Sequence, residues 1–389
     1  MDYFLNDEQK AVRELARNFA QKEIIPIVAE DDLNHRFQKE LILKMAEQGF
    51  FGAAFPEEYG GSDLGFIAHV IIVEEISRAE SSLRHFFNMQ GMTCPLTILN
   101  WGTEEQKKKY VRKLIKCELF GVNAMTEPDA GSDFASIRTS AVEDGDFFVV
   151  NGSKMWISNG PIMDAGVLFV KTDPKTKPKH RGISCLIIEK EMAGITREEI
   201  KNKLGHHSAP TGELHFEDCR IPKENLVGEL GQGFKIAMNA LDYGRLSVAA
   251  GAVGVTQACI DESIKYCNVR EAFGKRIGEF QMNQQKIAEM IAGAEASRTL
   301  LHKAAFLAEK NIRNTLESTL AKHVASEACI RAARFAVEIF GGYGYSEEYP
   351  VARLYRDAIL YQTGEGSSNI TSMIISLDGL GWKKVRVDY

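Results

Sequence analysis

Helical periodicity fills both ends of this 389-residue chain, and between residues 121 and 229 it gives way to short β-rich runs. Each texture must bury its own apolar face, so the order predicts a mainly α protein with a β middle domain. Residues 1–120 read as a helical domain, 121–229 as the β domain, and 230–389 as a helical bundle. Asn6 and Gln9 stand in capping-box spacing, followed by Val12, Leu15, Ala16 and Phe19 at the period of a buried helix face. Thr103 caps a further helix through "GTEEQKKKYVRKL". In the middle segment "DFFVVNG" follows an Asp144-Gly145 turn, and "GVLFVKT", "ISCLIIE" and "GELHFEDCRIP" come after it, which predicts a compact antiparallel sheet. The basic stretch Lys171 to Gly182 reads as a solvated hairpin loop. In the last segment Ile287, Met290, Ile291, Ala294 and Leu301 form one core stripe.

A net charge of −6 argues against a nucleic-acid partner, which needs concentrated positive surface. The N-terminal residues lack a basic and then apolar leader, and no stretch is apolar enough to span a membrane, so a cytoplasmic location is expected. Seven scattered cysteines never form C-x-x-C; reduced, buried thiols are expected, with no metal site. "GELGQGF" and "GGYGY" do not match a dinucleotide-binding loop, and neither a P-loop, a G-x-S-x-G elbow nor an H-E-x-x-H pair occurs.

Four stretches carry chemistry instead: "MTEPDAGSD" (Met125 to Asp133), "NGSKMWISNG" (Asn151 to Gly160), "REAFGKRIGEFQ" (Arg270 to Gln281) and "GEGSSNI" (Gly364 to Ile370). With "PEEYGG" and "GTEEQK" before them and "MIISLDGLG" after, they resemble the acyl-CoA dehydrogenase family from end to end. The resemblance implies a helical N-terminal domain, an antiparallel β domain and a C-terminal four-helix bundle, assembled as a homotetramer with FAD between domains and subunits. It implies removal of the α-proton of an acyl-CoA thioester, transfer of the β-hydrogen as hydride to flavin N5, and passage of electrons to electron-transfer flavoprotein. An α-proton beside a thioester is a weak acid, so the reaction needs a positioned base and a polarised carbonyl.

Glu365 matches the family's base; standing alone, "EGS" would read as a solvent-facing acid in a glycine loop. Asn123, Met125 and Thr126 match groups at the isoalloxazine edge, Trp156 a residue packed on the ring, and Ser158 a hydroxyl near N5. Trp156 also fits an ordinary core aromatic of the β domain. Arg270, Phe273 and Gln281 match positions that reach a neighbouring subunit's FAD, Gly342 fits a close backbone approach, and Ser367 and Asn369 complete the FAD site; Glu338, where relatives carry Gln, is not assigned. Ser132, Asp242 and Arg245 match substrate-binding positions, although Asp242 and Arg245 also fit a helix-surface i, i+3 pair. The resemblance further implies that the thioester oxygen is held by the Glu365 backbone N–H and the FAD ribityl hydroxyl.

Specificity turns on two places. Arg84, in "SRAESSLRHFFNMQ", falls where glutaryl-CoA dehydrogenases grip the distal carboxylate, yet Ser77 and His85 replace other residues of the decarboxylating enzymes. Arg84 reads equally as a clamp or as a buried helix-to-helix pair, and His85 as a satisfied interior histidine. Gly364 stands where many members have tyrosine, leaving space for a ring. The wording resembles the anaerobic-bacterial branch of alicyclic carboxyl-CoA and non-decarboxylating glutaryl-CoA dehydrogenases. The expectation is therefore α,β-dehydrogenation of a saturated alicyclic ester such as cyclohexane-1-carboxyl-CoA, with glutaryl-CoA or a short or branched acyl-CoA as alternatives. An acyl-CoA oxidase and a non-catalytic scaffold are the rival classes.

Overall fold

Both expected helix caps form, at Asn6 and at Thr103, and each is a capping box in the computed structural model, which describes residues 5–383 and 385. The remaining positions, at the outer ends of the first and third expected segments, lie outside the described residues. Asn6 Oδ1 accepts from the Gln9 N–H at 2.8 Å and Gln9 Oε1 from the Asn6 N–H at 3.1 Å, opening α1 (Asp7–Phe19). A cap of this kind stabilises a helix by about 1 kcal/mol. Short helices α2 (Val28–Leu33) and α3 (Lys39–Glu47) lead to the buried α4 (Gly65–Ala79), then α5 (Arg84–Gly91), α6 (Thr93–Trp101) and α7 (Glu104–Ile115), the last capped by Thr103. On α1 Ala16 is buried but Leu15 is exposed, because adjacent residues point about 100° apart and only one meets the core.

The middle segment forms β1 (Gly121–Ala124), β2 (Ser140–Asp144), β3 (Phe147–Ser158), β4 (Ala165–Lys171), β5 (Ile183–Glu189), β6 (Ile195–Glu199), β7 (Thr211–Pro222) and β8 (Leu226–Val227). The strand order is β6-β7-β3-β2-β4-β5-β8, with β1 alongside β4. Most pairs are antiparallel, as the hairpin spacing predicts, and Lys171 to Gly182 is the loop between β4 and β5. Two contacts depart from that expectation: β1 runs parallel to β4, and β2 touches β4 in parallel through Ser140 and Lys171. A parallel pair needs a long crossover, and the β2–β3 hairpin between β1 and β4 supplies it.

The third segment is built on α8 (Gly233–Val269), α9 (Gln281–Glu309) and α10 (Thr315–Phe340), with the small hairpin β9 (Glu271–Ala272) and β10 (Lys275–Arg276) between the first two. Then come α11 (Pro350–Ala358), α12 (Leu360–Thr363) and α13 (Ser368–Gly379), which packs on α10. The expected stripe on α9 buries Met290, Ala294 and Leu301, whereas Ile291 is exposed, again beside a buried neighbour. Helix α4 packs along α8 and α9, so the first and third segments share one core. All seven cysteines are free and buried. Among the described residues no helix is long and apolar enough to cross a membrane, and no cluster of His, Cys, Asp and Glu suits a metal ion.

Candidate active site

Glu365 sits in the short loop between α12 and α13, where the chain takes two left-handed steps, φ +52° at Glu365 and +92° at Gly366. A non-glycine residue in that region costs on the order of 1–3 kcal/mol and persists only when its surroundings enforce it. Three residues of α10 do so. Ser326 Oγ donates to the Tyr361 carbonyl at 2.7 Å, and Glu327 Oε1 accepts from Gln362 Nε2 at 2.9 Å and from Ser368 Oγ at 2.8 Å. Lys322 Nζ donates to the Gly366 carbonyl at 2.7 Å. Ser367 caps α13 through the Ile370 N–H, and Asn369 is exposed on its first turn.

The Glu365 carboxylate lies in a cleft between α5, α8 and α10. Oε1 accepts from Asn88 Nδ2 at 3.0 Å, while Oε2 is buried with no partner. Burial raises its pKa above the ordinary glutamate value, against the pull of Arg84, Arg245 and Lys322. Two glycines two turns apart on α8 make room. A Cβ on Gly244 would lie 2.6 Å from Glu365 Oε2, and one on Gly251 would lie 2.6 Å from Arg84 Cδ and 2.7 Å from the Tyr361 hydroxyl.

Arg84, 4% exposed, opens α5. Its Nε has no partner, its guanidinium stands 5.6 Å from the Tyr361 ring centroid, and Nη2 lies 3.4 Å from His85 Nε2. No carboxylate comes within ion-pair distance of it among the described residues; its contact to another helix is with the Tyr361 ring of α12. The buried His85 has partners on both ring nitrogens, as expected for a satisfied interior histidine: Nδ1 lies 2.9 Å from Ser158 Oγ. Burial, then the Arg84 charge, pushes its pKa well down, so the ring is neutral. A guanidinium only donates, so Nε2 accepts and Nδ1–H donates to Ser158. The Ser158 hydroxyl thus keeps its own proton to donate elsewhere.

On the sheet side, Trp156 has φ +62° at a register shift between Lys154 and Ile157, and the residue is 55% exposed. The bulge turns it out of the sheet, which rules out the core-aromatic alternative. Asn123 lies on β1 with Oδ1 buried and unpartnered; Met125 and Thr126 follow, half-buried. An ion pair that sequence reasoning missed ties the two motifs together: Lys154 Nζ reaches Glu127 Oε1 at 2.8 Å and the Met125 carbonyl at 3.1 Å. Its members lie inside the quoted "MTEP" and "SKMW", but nothing in spacing announced the pairing.

Asp242 and Arg245 are not a surface pair. They bond at 3.1 Å between α8 and α10, where Thr315 donates to Asp242 at 2.6 Å and Arg245 donates to Thr319 at 3.2 Å. Burial raises the Asp242 pKa and lowers that of Arg245. Ser132 is exposed on the loop after β1. Arg270, Phe273, Gln281 and Gly342 gather at one end of the bundle. Phe273 tips the β9–β10 hairpin at 96% exposure, Arg270 stands 5.7 Å from the Tyr343 ring centroid, and nothing lies within 4 Å of a Cβ built on Gly342. No hydrogen bond, ion pair or ring contact joins this group to Trp156 or Asn123 among the described residues. Glu338 is neutralised locally by Lys286 at 2.9 Å. A groove of about 1230 Å³ lined by Asp32, His207, Arg353 and Arg356 contains none of these candidate residues.

Three family models cover nearly the whole chain: the N-terminal domain of acyl-CoA dehydrogenases over residues 6–118, the middle domain over 123–219 and the C-terminal domain over 231–378. The chain belongs to the acyl-CoA dehydrogenase family. It is an oxidoreductase acting on an acyl-CoA. A glutaryl-CoA dehydrogenase of Desulfococcus multivorans is 46% identical over 99% of both chains. A solved glutaryl-coenzyme A dehydrogenase in complex with glutaryl-CoA is 44% identical, covering 100% of this chain and 99% of that one, with a TM-score of 0.96. A subunit of the caffeyl-CoA reductase-Etf complex of Acetobacterium woodii is 38% identical over 96% of this chain and 98% of its own.

Proposed function

We propose that the chain removes the α-proton and β-hydride of a dicarboxylic acyl-CoA, glutaryl-CoA in the first place, with Glu365 as base and FAD as acceptor. The observation that carries the substrate is Arg84: a buried guanidinium without a carboxylate partner, beside the Glu365 carboxylate. An unpaired buried cation is costly, and a substrate carboxylate compensates it. The similarity to glutaryl-CoA dehydrogenases supports the same reading.

The residues present fit FAD. The turned-out Trp156 offers a flat apolar face, the buried Asn123 Oδ1 lacks a donor, and Ser158 has a free hydroxyl proton. Asn123, Met125, Thr126, Trp156 and Ser158 would hold the ring system. Arg270, Phe273, Gln281 and Gly342, exposed at the end of the bundle, would reach the FAD of a second copy in a homotetramer, with Ser367 and Asn369 completing the site. When bound, FAD supplies the acceptor for the β-hydride, and electron-transfer flavoprotein is the proposed onward acceptor.

Glu365 takes the α-proton. Burial of its carboxylate raises its proton affinity toward that of the substrate, and Oε2 has no competing donor. Its backbone N–H is the chain's own donor to the thioester oxygen, where negative charge develops. Asp242, Arg245 and Ser132 are assigned to the CoA moiety. Ser77, where decarboxylating enzymes carry glutamate, leaves the reaction at the enoyl stage.

One observation favours a second substrate class. A Cβ on Gly364 would meet only the Leu360 carbonyl, at 3.5 Å, so the backbone next to the base is uncrowded where a tyrosine would otherwise stand, which favours an alicyclic ester such as cyclohexane-1-carboxyl-CoA. Anaerobic mixing of the yellow holoenzyme with each ester decides between them. The proposal expects fast bleaching by glutaryl-CoA and slower bleaching by butyryl-CoA and the cyclic ester; the reverse order overturns it. Peroxide formation under air would instead mark an oxidase.

A further inference from the structure

The α10 residue that touches the Glu365 loop most closely is a lysine with no exposed surface. Lys322 Nζ lies 2.7 Å from the Gly366 carbonyl and 3.4 Å from the Gln362 carbonyl, and these two carbonyls bracket Glu365 in sequence. No carboxylate lies within ion-pair distance of Nζ among the described residues. A neutral amide could donate to a carbonyl without the several kcal/mol that burying an ammonium costs. The charge itself therefore needs an explanation.

The charged groups facing Lys322 supply one. They are Arg245 from α8, Arg84 from α5, Glu327 on α10 itself and Glu365 from the loop. Arg245 is already matched by Asp242 at 3.1 Å, and Glu327 is engaged with Gln362 and Ser368. Arg84 is matched once a dicarboxylic substrate binds. Lys322 is then the cation left facing the Glu365 carboxylate throughout the reaction.

We propose that Lys322 is a positioning residue that holds the left-handed Glu365 loop through its carbonyls and keeps a buried positive charge beside the Glu365 carboxylate. This rests on the reading of Glu365 as the base. The two parts have different signatures. Holding the loop affects the rate at every pH. The charge favours the ionised base, so its removal raises the proton affinity of Glu365 and moves the acid limb of the rate profile upward.

The test is the pH dependence of flavin reduction by glutaryl-CoA in Lys322→Gln, Lys322→Arg and Glu365→Gln holoenzymes. Lys322→Gln is expected to move the acid limb up by on the order of one pH unit, about tenfold in rate on that limb. Lys322→Arg keeps the charge and is expected to leave the limb in place while lowering the plateau. A limb that stays at the wild-type pH in Lys322→Gln overturns the inference. Turnover retained in Glu365→Gln would instead overturn the base reading beneath it.

A second measurement needs no Lys322 variant to fold. Burial pushes the Lys322 amine down to about 8, and the Glu365 charge holds it up. In lysine-labelled protein followed by NMR, Glu365→Gln should therefore lower the midpoint at which Lys322 titrates. Identical midpoints in wild type and Glu365→Gln would overturn the inference.

Discussion

Replacing Arg84 by glutamine separates a substrate clamp from a packing residue. The guanidinium is 4% exposed and its Nε is unpartnered, so a substrate carboxylate bound there forms a desolvated ion pair. Removing one partner of such a pair costs about 3–5 kcal/mol, because the other charge is left buried alone. At about 1.4 kcal/mol per factor of ten, kcat/KM for glutaryl-CoA should fall by roughly a hundred- to several-thousandfold. Butyryl-CoA brings no distal charge. Its only loss is the pull of Arg84 on Glu365, which lowers the Glu365 pKa. Arg84→Gln should therefore move the acid limb for butyryl-CoA upward while sparing the rate above it. The assay is initial-rate kinetics with both esters from acid to alkaline pH, using flavin content to normalise active enzyme. Equal losses for both substrates at every pH would refute the clamp and make Arg84 a packing residue.

Two further outcomes follow from particular contacts. Gly244→Ala drives a methyl to 2.6 Å from Glu365 Oε2 and 3.0 Å from Thr93 Cγ2, and a misplacement near 1 Å costs about a hundredfold in rate; turnover should fall with flavin content unchanged, as read by absorbance and stopped-flow reduction. Behind Arg84, burial raises Glu80 to about 7 and Asp357 to about 6, so the folded state holds more protons than the unfolded one between roughly pH 4 and 7. That stability is present at low pH and is lost as pH rises through the window. Denaturant midpoints measured from pH 5 to 8 should fall less steeply in Asp357→Asn.

The order of segments, the caps at Asn6 and Thr103 and the hairpins of the middle domain were legible because each depends on local spacing. The parallel β1–β4 pair was not, since it joins residues far apart in sequence through a crossover that no local signal encodes. Among site residues, Glu365, Arg84 and Trp156 were named from motifs, but their surroundings were not. The α8 face that admits Glu365 and Arg84 depends on Gly244 and Gly251, which read only as small residues in a helical run. Asn88 lies one turn beyond Arg84 and meets Glu365 across 277 positions of sequence. Lys322 looks in sequence like any helix-surface lysine. It is buried because α8, α12 and α13 pack over α10. The Asp242–Arg245 pair shows the same limit in reverse, since i, i+3 spacing describes the bond but not the depth at which it lies.

The central claim is that Glu365 removes the α-proton. Single-turnover reduction of the flavin by glutaryl-CoA, compared in wild type and Glu365→Gln of equal flavin content, tests it most directly. The account predicts rapid bleaching in the wild type and a loss of at least about a thousandfold in the variant, with substrate still bound. Bleaching of Glu365→Gln at close to the wild-type rate would contradict it.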